Sequence, residues 1–188
     1  MAANVKYFEY LKGRSILGLI YKKIFLYPKL SKLLEAQTLD IGCGVGDFLK
    51  FRKNSIGVDI NQDCVDWCID QGLNAKHMKM DELPFQDDFF DSVILDNVLE
   101  HIENPDPLLD EISRVLRNKG VLIIGVPGLK GYAYDDDHKK FYTKDQLVKI
   151  LDSHDYINEK IFGMPFDIDF LSNKMRQYCV YCRFVKNT

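Results

Sequence analysis

From Thr38 onward, short apolar runs of strand length alternate with longer segments whose apolar residues recur at helical spacing. Thr38–Ile41, Ser55–Ile60, Ala75–Met80, Asp91–Asp96 and Val121–Val126 read as strands, each bounded by polar or glycine-containing turns. The segment Leu108–Arg117 places Leu108, Leu109, Ile112, Val115 and Leu116 on one stripe, as an amphipathic helix does. Asp106-Pro107 offers this helix an N-cap and a first-turn proline, and Lys119-Gly120 stops it before the fifth strand. Thr143-Lys-Asp-Gln146 is a capping-box pattern that opens a helix over Gln146–Leu151. Tyr156–Phe162 and Tyr178–Val185 supply two last strands, predicted as an antiparallel pair. Alternating strands and helices predict an α/β fold, a parallel sheet with helices on both faces.

Between the first strand and the next apolar segment, residues 39–49 read Leu-Asp-Ile-Gly-Cys-Gly-Val-Gly-Asp-Phe-Leu. Gly42, Gly44 and Gly46 lack Cβ atoms, so the backbone can turn sharply there and lie against a ligand. A turn of this kind at the carboxyl end of the first strand is where nucleotide-like cofactors bind. The dinucleotide fingerprint requires a third glycine at position 47, which is Asp47. Asp40 and Asp47 flank the turn, where they would repel a pyrophosphate and suit a ligand carrying an ammonium or a sulfonium. This spacing argues against NAD.

The stretch Asp40-Ile-Gly-Cys-Gly-Val-Gly-Asp47 resembles motif I of the class I S-adenosylmethionine-dependent methyltransferases, most closely the type 11 methyltransferase domain. Further segments fall where that family has them. The second run ends in Asp59, about twenty residues beyond Asp40, where an acidic side chain can accept bonds from both ribose hydroxyls. The third leads into Asp81 and Glu82-Leu-Pro-Phe-Gln-Asp-Asp-Phe-Phe-Asp91, similar to a family signature whose first acid bonds the adenine amino group. The fourth leads into Asn97-Val-Leu-Glu-His101, similar to the family's Leu-x-His segment beside the methyl donor. The resemblance spans residues 37–128. It implies a Rossmann-like, seven-stranded, mostly parallel sheet in the order 3-2-1-4-5-7-6. It also implies S-adenosyl-L-methionine as cofactor, with S-adenosyl-L-homocysteine as product. The cofactor-binding residues it marks are Asp40, Gly42, Cys43, Gly44, Gly46, Asp59, Ile60, Met80, Asp81, Glu82, Leu83, Asp96, Asn97 and Val98.

With 188 residues, 46% of them hydrophobic, the chain can bury one substantial core. We therefore expect one domain over 1–188, with an N-terminal helical arm (1–36) on a catalytic core (37–188). A net charge of −3 gives no general reason to expect a nucleic-acid partner. The arm is different, carrying seven Lys/Arg against two Glu. Such a basic, aromatic segment could touch an anionic acceptor or a membrane surface, but a solvated face on a helix over the sheet edge is the preferred reading. No stretch approaches the roughly 18 uninterrupted apolar residues that a bilayer span needs. Lys6, Glu9, Lys12 and Arg14 interrupt any signal-peptide core, and five cysteines, an odd number, suggest reduced thiols. Both point to a cytoplasmic protein. Cys179 and Cys182 lie three apart in a predicted strand and so face opposite ways, while Cys64 and Cys68 share a helix elsewhere. Structural thiols suffice, and no metal site is expected.

Methyl transfer from a sulfonium is an in-line displacement in which orientation can supply roughly 7–11 kcal/mol. A hydroxyl acceptor additionally needs a base. His101, just past the fourth strand, and His138, in a His-x-x-x-Tyr142-Thr143 segment similar to one at the acceptor side of family members, are the catalytic candidates. The alternative roles are a backbone-bonded wall residue for His101 and a loop-orienting residue for His138. Asp135-Asp-Asp137 could bind a cation but reads as a solvated loop, and His77 and His154 attract no role. The Asn-Pro-Pro-Tyr motif of amino-group methylation is absent, Asp96-Asn97-Val98-Leu99 standing in its place. The segment from Pro127 to Tyr142 is too short for a large lid. The acceptor site is then roofed by the arm, this loop and Met164–Phe170, with a second subunit of a homodimer as a further contributor. An open site of this kind suits a small molecule, a sugar, or a lipid- or quinone-like hydroxyl. Two other functions are open: a non-catalytic S-adenosylmethionine-binding module and an NAD-dependent oxidoreductase.

Overall fold

The computed structural model describes residues 8–13 and 15–187. Readings that concern residues 1–7, Lys6 among them, and Arg14 lie outside the described residues. Seven strands form one sheet: β1 (Thr38–Ile41), β2 (Ser55–Asp59), β3 (Ala75–His77), β4 (Phe90–Asp96), β5 (Leu116–Pro127), β6 (Tyr156–Met164) and β7 (Cys179–Lys186). Their order is β3-β2-β1-β4-β5-β7-β6, as the family resemblance implied. The first five run parallel, and β7 pairs antiparallel with both β5 and β6.

Successive residues of the strands serve opposite faces of the sheet, as a two-residue period dictates. Val93, Leu95, Leu122, Ile124, Cys182 and Phe184 join one apolar layer, with Leu108, Leu109 and Ile112 of helix α5 (Asp106–Val115) and Leu147 and Leu151 of α7 (Lys144–Asp152). Ile94, Val121, Ile123 and Tyr181 join the other, with Leu26, Tyr27 and Leu30 of the arm. Cys179 and Cys182 accordingly fall on opposite faces.

The arm is helical over residues 8–12 and again from Ile16 to Ser31. This second helix runs as α1 (Ile16–Tyr21), a π-helical turn (Lys22–Leu26) and α2 (Tyr27–Ser31); α3 (Asp47–Phe51), α4 (Gln62–Asp70) and α6 (Leu129–Tyr132) complete the numbering. Pro28 explains the wide turn: it has no N–H to donate, and its ring would collide with the carbonyl four residues earlier in a regular helix. The helix lies across the sheet's face above β4, β5 and β7, not over its edge, because Leu26, Tyr27 and Leu30 find their apolar partners there. Its leading half leaves Ile16, Leu17, Ile20, Ile24 and Phe25 exposed. Among the described residues no helix is long and apolar enough to cross a membrane.

Several boundaries differ from the sequence reading, and those around α5 and β3 have a visible cause. Helix α5 begins at Asp106, with Pro105 rather than Asp106 as its N-cap, and Asn104 Oδ1 accepts the Asp106 N–H. It ends at Val115, not Arg117, because the amides of Asp88 and Phe89 take the carbonyls of Arg114 and Val115. Leu116 then turns extended to pair with Phe90, and Lys119 takes a left-handed φ of 62°. Strand β3 ends at His77, short of Met80, because the chain bends into a small bridge between Lys79 and Glu82. The capping box is formed as predicted: Thr143 Oγ1 accepts from the Gln146 amide, and Gln146 Oε1 from the Thr143 amide.

Gly125 in β5 lies directly opposite Tyr181 in β7, and a Cβ there would come within 2.3 Å of the Tyr181 ring. That ring is buried, and its hydroxyl donates to Asp96 Oδ1 at 2.7 Å. Gly125→Ala should therefore destabilise the protein by about 1–3 kcal/mol through overpacking. A urea unfolding midpoint equal to that of the unchanged protein would contradict this packing.

Candidate active site

The strand ends and their register make the cleft. β1 lies between β2 and β4, with Ile41 opposite Val58 on one side and Leu95 on the other. From β1 the sheet continues toward β3 one way and β5 the other, so a crevice opens beyond the carboxyl ends of β1 and β4. The chain leaves β1 in a tight turn, the amides of Gly42 and Cys43 both donating to the Val58 carbonyl. Gly42, Gly44 and Gly46 all have left-handed φ values, of 73°, 52° and 75°. A Cβ on Gly42 would also come within 2.5 Å of Val98.

Carboxylates surround this turn. Asp59, at the end of β2, accepts from the Gly44 and Asn61 amides, both at 2.8 Å. Asp96, at the end of β4, accepts from the Tyr181 hydroxyl and from Asn97 Nδ2, with Lys22 Nζ at 3.4 Å. Asp40 is buried beneath the turn, and burial, then Asp96 and Asp59, push its carboxyl well above the usual range. Burial also raises Asp59, while the amides it accepts from oppose the rise.

A cavity of about 430 Å³ occupies the cleft. Asp40, Gly42, Cys43, Gly44, Asp59, Ile60, Met80, Asp96, Asn97, Val98 and His101 are all on its wall. Gly46, Asp81, Glu82, Leu83 and His138 are not. Gly46 instead closes against Leu73 and Cys68. Leu83 is core, its amide donating to Glu111 Oε2. Asp81 and Glu82 are exposed on the bend that ends β3, with Glu82 paired to Lys79. The arm supplies Leu11, Lys22, Tyr27 and Leu30 to the wall and the loop after β5 supplies Asp137, whereas Met164–Phe170 supplies none. Only Tyr27 and Leu30 stand at helical spacing, Leu11 belonging to the preceding helical segment, and nothing in the sequence showed which face would meet the cleft.

Beside this wall lies a second polar group. His101 is on the 3-10 turn Leu99–His101 after β4, and its Nδ1 faces the Asp137 carbonyl at 3.4 Å. His138 Nδ1 lies 2.8 Å from the Tyr132 carbonyl, and its ring stacks on Tyr132. The two imidazoles, 37 positions apart in sequence, come within 4.8 Å between ring centroids. Glu100 completes the group, with Oε1 at 3.9 Å from His138 Nε2. It is 1% exposed, and burial pushes its carboxyl up to about 8. Burial and the neighbouring His138 lower the pKa of His101. Glu100 escaped the sequence reading because an acid between Leu99 and His101 carries no sign of being buried.

Among the described residues the wall carries five aspartates and one lysine, an excess of negative charge that suits a cofactor bearing a sulfonium and an ammonium. A family model described as a methyltransferase domain matches residues 39–124. An uncharacterized protein of Methanocaldococcus jannaschii is 35% identical over 144 residues, which cover 76% of this chain and 68% of that protein. A probable tRNA methyltransferase 9B of Mus musculus is 28% identical over 132 residues, 65% of this chain but only 28% of its own length. In fold, the chain matches a solved structure from Thermotoga maritima described as a SAM-dependent methyltransferase, possibly a histamine N-methyltransferase, with a TM-score of 0.77, 19% identity and full coverage of both chains. These matches, with the glycine turn and the strand order, settle the cofactor and remove the nicotinamide alternative: the chain belongs to the class I S-adenosylmethionine-dependent methyltransferases, in the type 11 group.

Proposed function

We propose that this protein methylates a hydroxyl oxygen of a small molecule, a sugar, or a lipid- or quinone-like acceptor that enters at the His101 side of the cleft. The observation that supports this reading is the group Glu100, His101 and His138, of which His101 lines the cleft while the other two stand behind it. A hydroxyl has to lose its proton to become an effective nucleophile, whereas a neutral amine or a thiolate attacks without that help. The acidic wall and the net charge of −3 speak against a polyanionic acceptor such as the tRNA in the mouse relative's name.

When bound, S-adenosylmethionine supplies a methyl group already activated by its sulfonium charge, and it leaves as S-adenosylhomocysteine. Asp59 would hold the ribose hydroxyls, Ile60 and Met80 would flank the adenine, and Asp40, Asp96, Asn97 and Val98 would hold the methionine part, all from the cleft wall. Leu11, Tyr27 and Leu30 of the arm exclude water from above. His101, backed by Glu100 and His138, would make the acceptor's proton easier to lose, while the apolar wall beside it orients the carbon frame.

The experiment for the acceptor is incubation with methyl-labelled donor and fractionated cell extract, followed by locating the label in the product by NMR. The expected product is an ether, its label stable to mild alkali; label on nitrogen, carbon or sulfur, or no label in any fraction, overturns the reading. Asp59→Ala should weaken cofactor binding about 10- to 100-fold, since charge-assisted bonds of this kind contribute about 1.5–3 kcal/mol. Calorimetric affinity equal to that of the unchanged protein would remove Asp59 from the site. Asp40 generates a pH dependence. Burial, then Asp96 and Asp59, raise its pKa in the free protein, and a bound cation would lower it again. Binding should therefore release a proton, and affinity should fall as pH falls. Calorimetric binding with no proton release in buffers of different ionisation enthalpy would count against that role.

A further inference from the structure

We propose that Glu100, His101 and His138 bind a divalent first-row transition-metal ion, through two imidazole nitrogens and one carboxylate, at the acceptor side of the donor cleft. One ligand atom from each residue lies within 4.8 Å of the others. Metal–ligand bonds of about 2.0–2.2 Å set neighbouring ligand atoms about 3–3.5 Å apart, so the side chains need to close by about an ångström. The independent sign of a missing ligand is Glu100. Neither of its carboxylate oxygens finds a hydrogen-bond partner among the described residues, although the side chain is almost fully buried. An unpaired buried carboxylate is costly, and a cation is one of the few neighbours that offsets it.

The imidazoles are also prepared as ligands. A carbonyl can only accept, so the Tyr132 and Asp137 carbonyls hold the proton on Nδ1 of His138 and His101. Nε2 of each ring then keeps its lone pair, and the backbone bond fixes the ring, as outer partners of metal-bound histidines do. In His138 that nitrogen is the one facing Glu100. The amides of Lys139 and Lys140 both donate to the Glu100 carbonyl, which pins the loop carrying His138 against the turn carrying Glu100 and His101. Two nitrogens and one oxygen suit zinc, manganese, cobalt or iron(II) better than magnesium, which prefers oxygen ligands and retains its waters.

Because Glu100 is buried and His101 lines the cleft, the side left for further ligands is the cleft side. Resting on the hydroxyl reading above, the ion's use is then specific. An acceptor oxygen joins it, loses its proton to cleft water, and with the freed electron pair takes the methyl carbon, while the carbon–sulfur pair stays on sulfur. Ion binding itself does not depend on that reading.

The test uses the full chain, stripped with chelator, titrated with zinc by calorimetry and with cobalt by visible absorption. One equivalent should bind saturably, giving cobalt bands of nitrogen and oxygen coordination with no thiolate charge transfer. Glu100→Gln and His138→Gln should each weaken the ion about 10-fold or more while still binding S-adenosylmethionine, and His77→Gln and His154→Gln should leave ion affinity unchanged. If Glu100→Gln fails to bind the cofactor, His138→Gln decides. No saturable binding, thiolate bands that place the ion on cysteines, or affinities untouched in both variants would overturn the site. An ether product formed equally well with chelator present, together with no ion binding, ends this proposal and leaves the hydroxyl reading standing. Ion binding as expected with label on another atom does the reverse.

Discussion

The cleft depends on one carboxylate and two amides. Asp59 accepts from Gly44 and Asn61, joining the end of β2 to the turn that leaves β1. Without that acceptor, two amides near the cleft would lack a partner, and the glycine turn would lose the bond that Gly44 makes to β2. The parallel register brings the strand ends level, and this pair of bonds, with those from Gly42 and Cys43 to the Val58 carbonyl, holds the turn against the end of β2. The glycines and the acid are therefore two halves of one device.

The electrostatics follow from the same placement. Asp40, Asp59 and Asp96 converge because three neighbouring strands end together, and the arm sets Lys22 among them. In the free protein burial disfavours the charged forms of Asp40 and Asp59, and for Asp40 the nearby Asp96 and Asp59 add to it. A cationic ligand would relieve both effects.

Much of this was readable from residues because it is local. The period-two runs gave the strands, Thr143 and Gln146 gave a helix start, and the spacing of Gly42, Gly44, Gly46 and Asp59 gave the turn and its acid. What escaped was set by distant partners. α5 stops at Val115 because Asp88 and Phe89, more than twenty residues earlier, take its last carbonyls. Asp81 matches a family signature yet stands outside the cleft wall, since it sits on the exposed bend between Lys79 and Glu82. His101 and His138 were identified singly; their meeting depends on the Glu100 carbonyl binding the amides of Lys139 and Lys140, and no local pattern announces such a loop closure.

The position of β7 has a consequence for how the molecule can be cut or synthesised. Although it follows β6 in the chain, it lies between β5 and β6, so β6 has no direct place on the sheet. A nascent chain that has emerged only as far as β6 must hold that strand unpaired, with the flank of β5 bare. A truncation inside Cys179–Lys186 removes two strands rather than one, and with Tyr181 it removes a hydrogen bond on Asp96. Loss of a few residues far along the chain would therefore reach the cofactor cleft through the middle of the sheet.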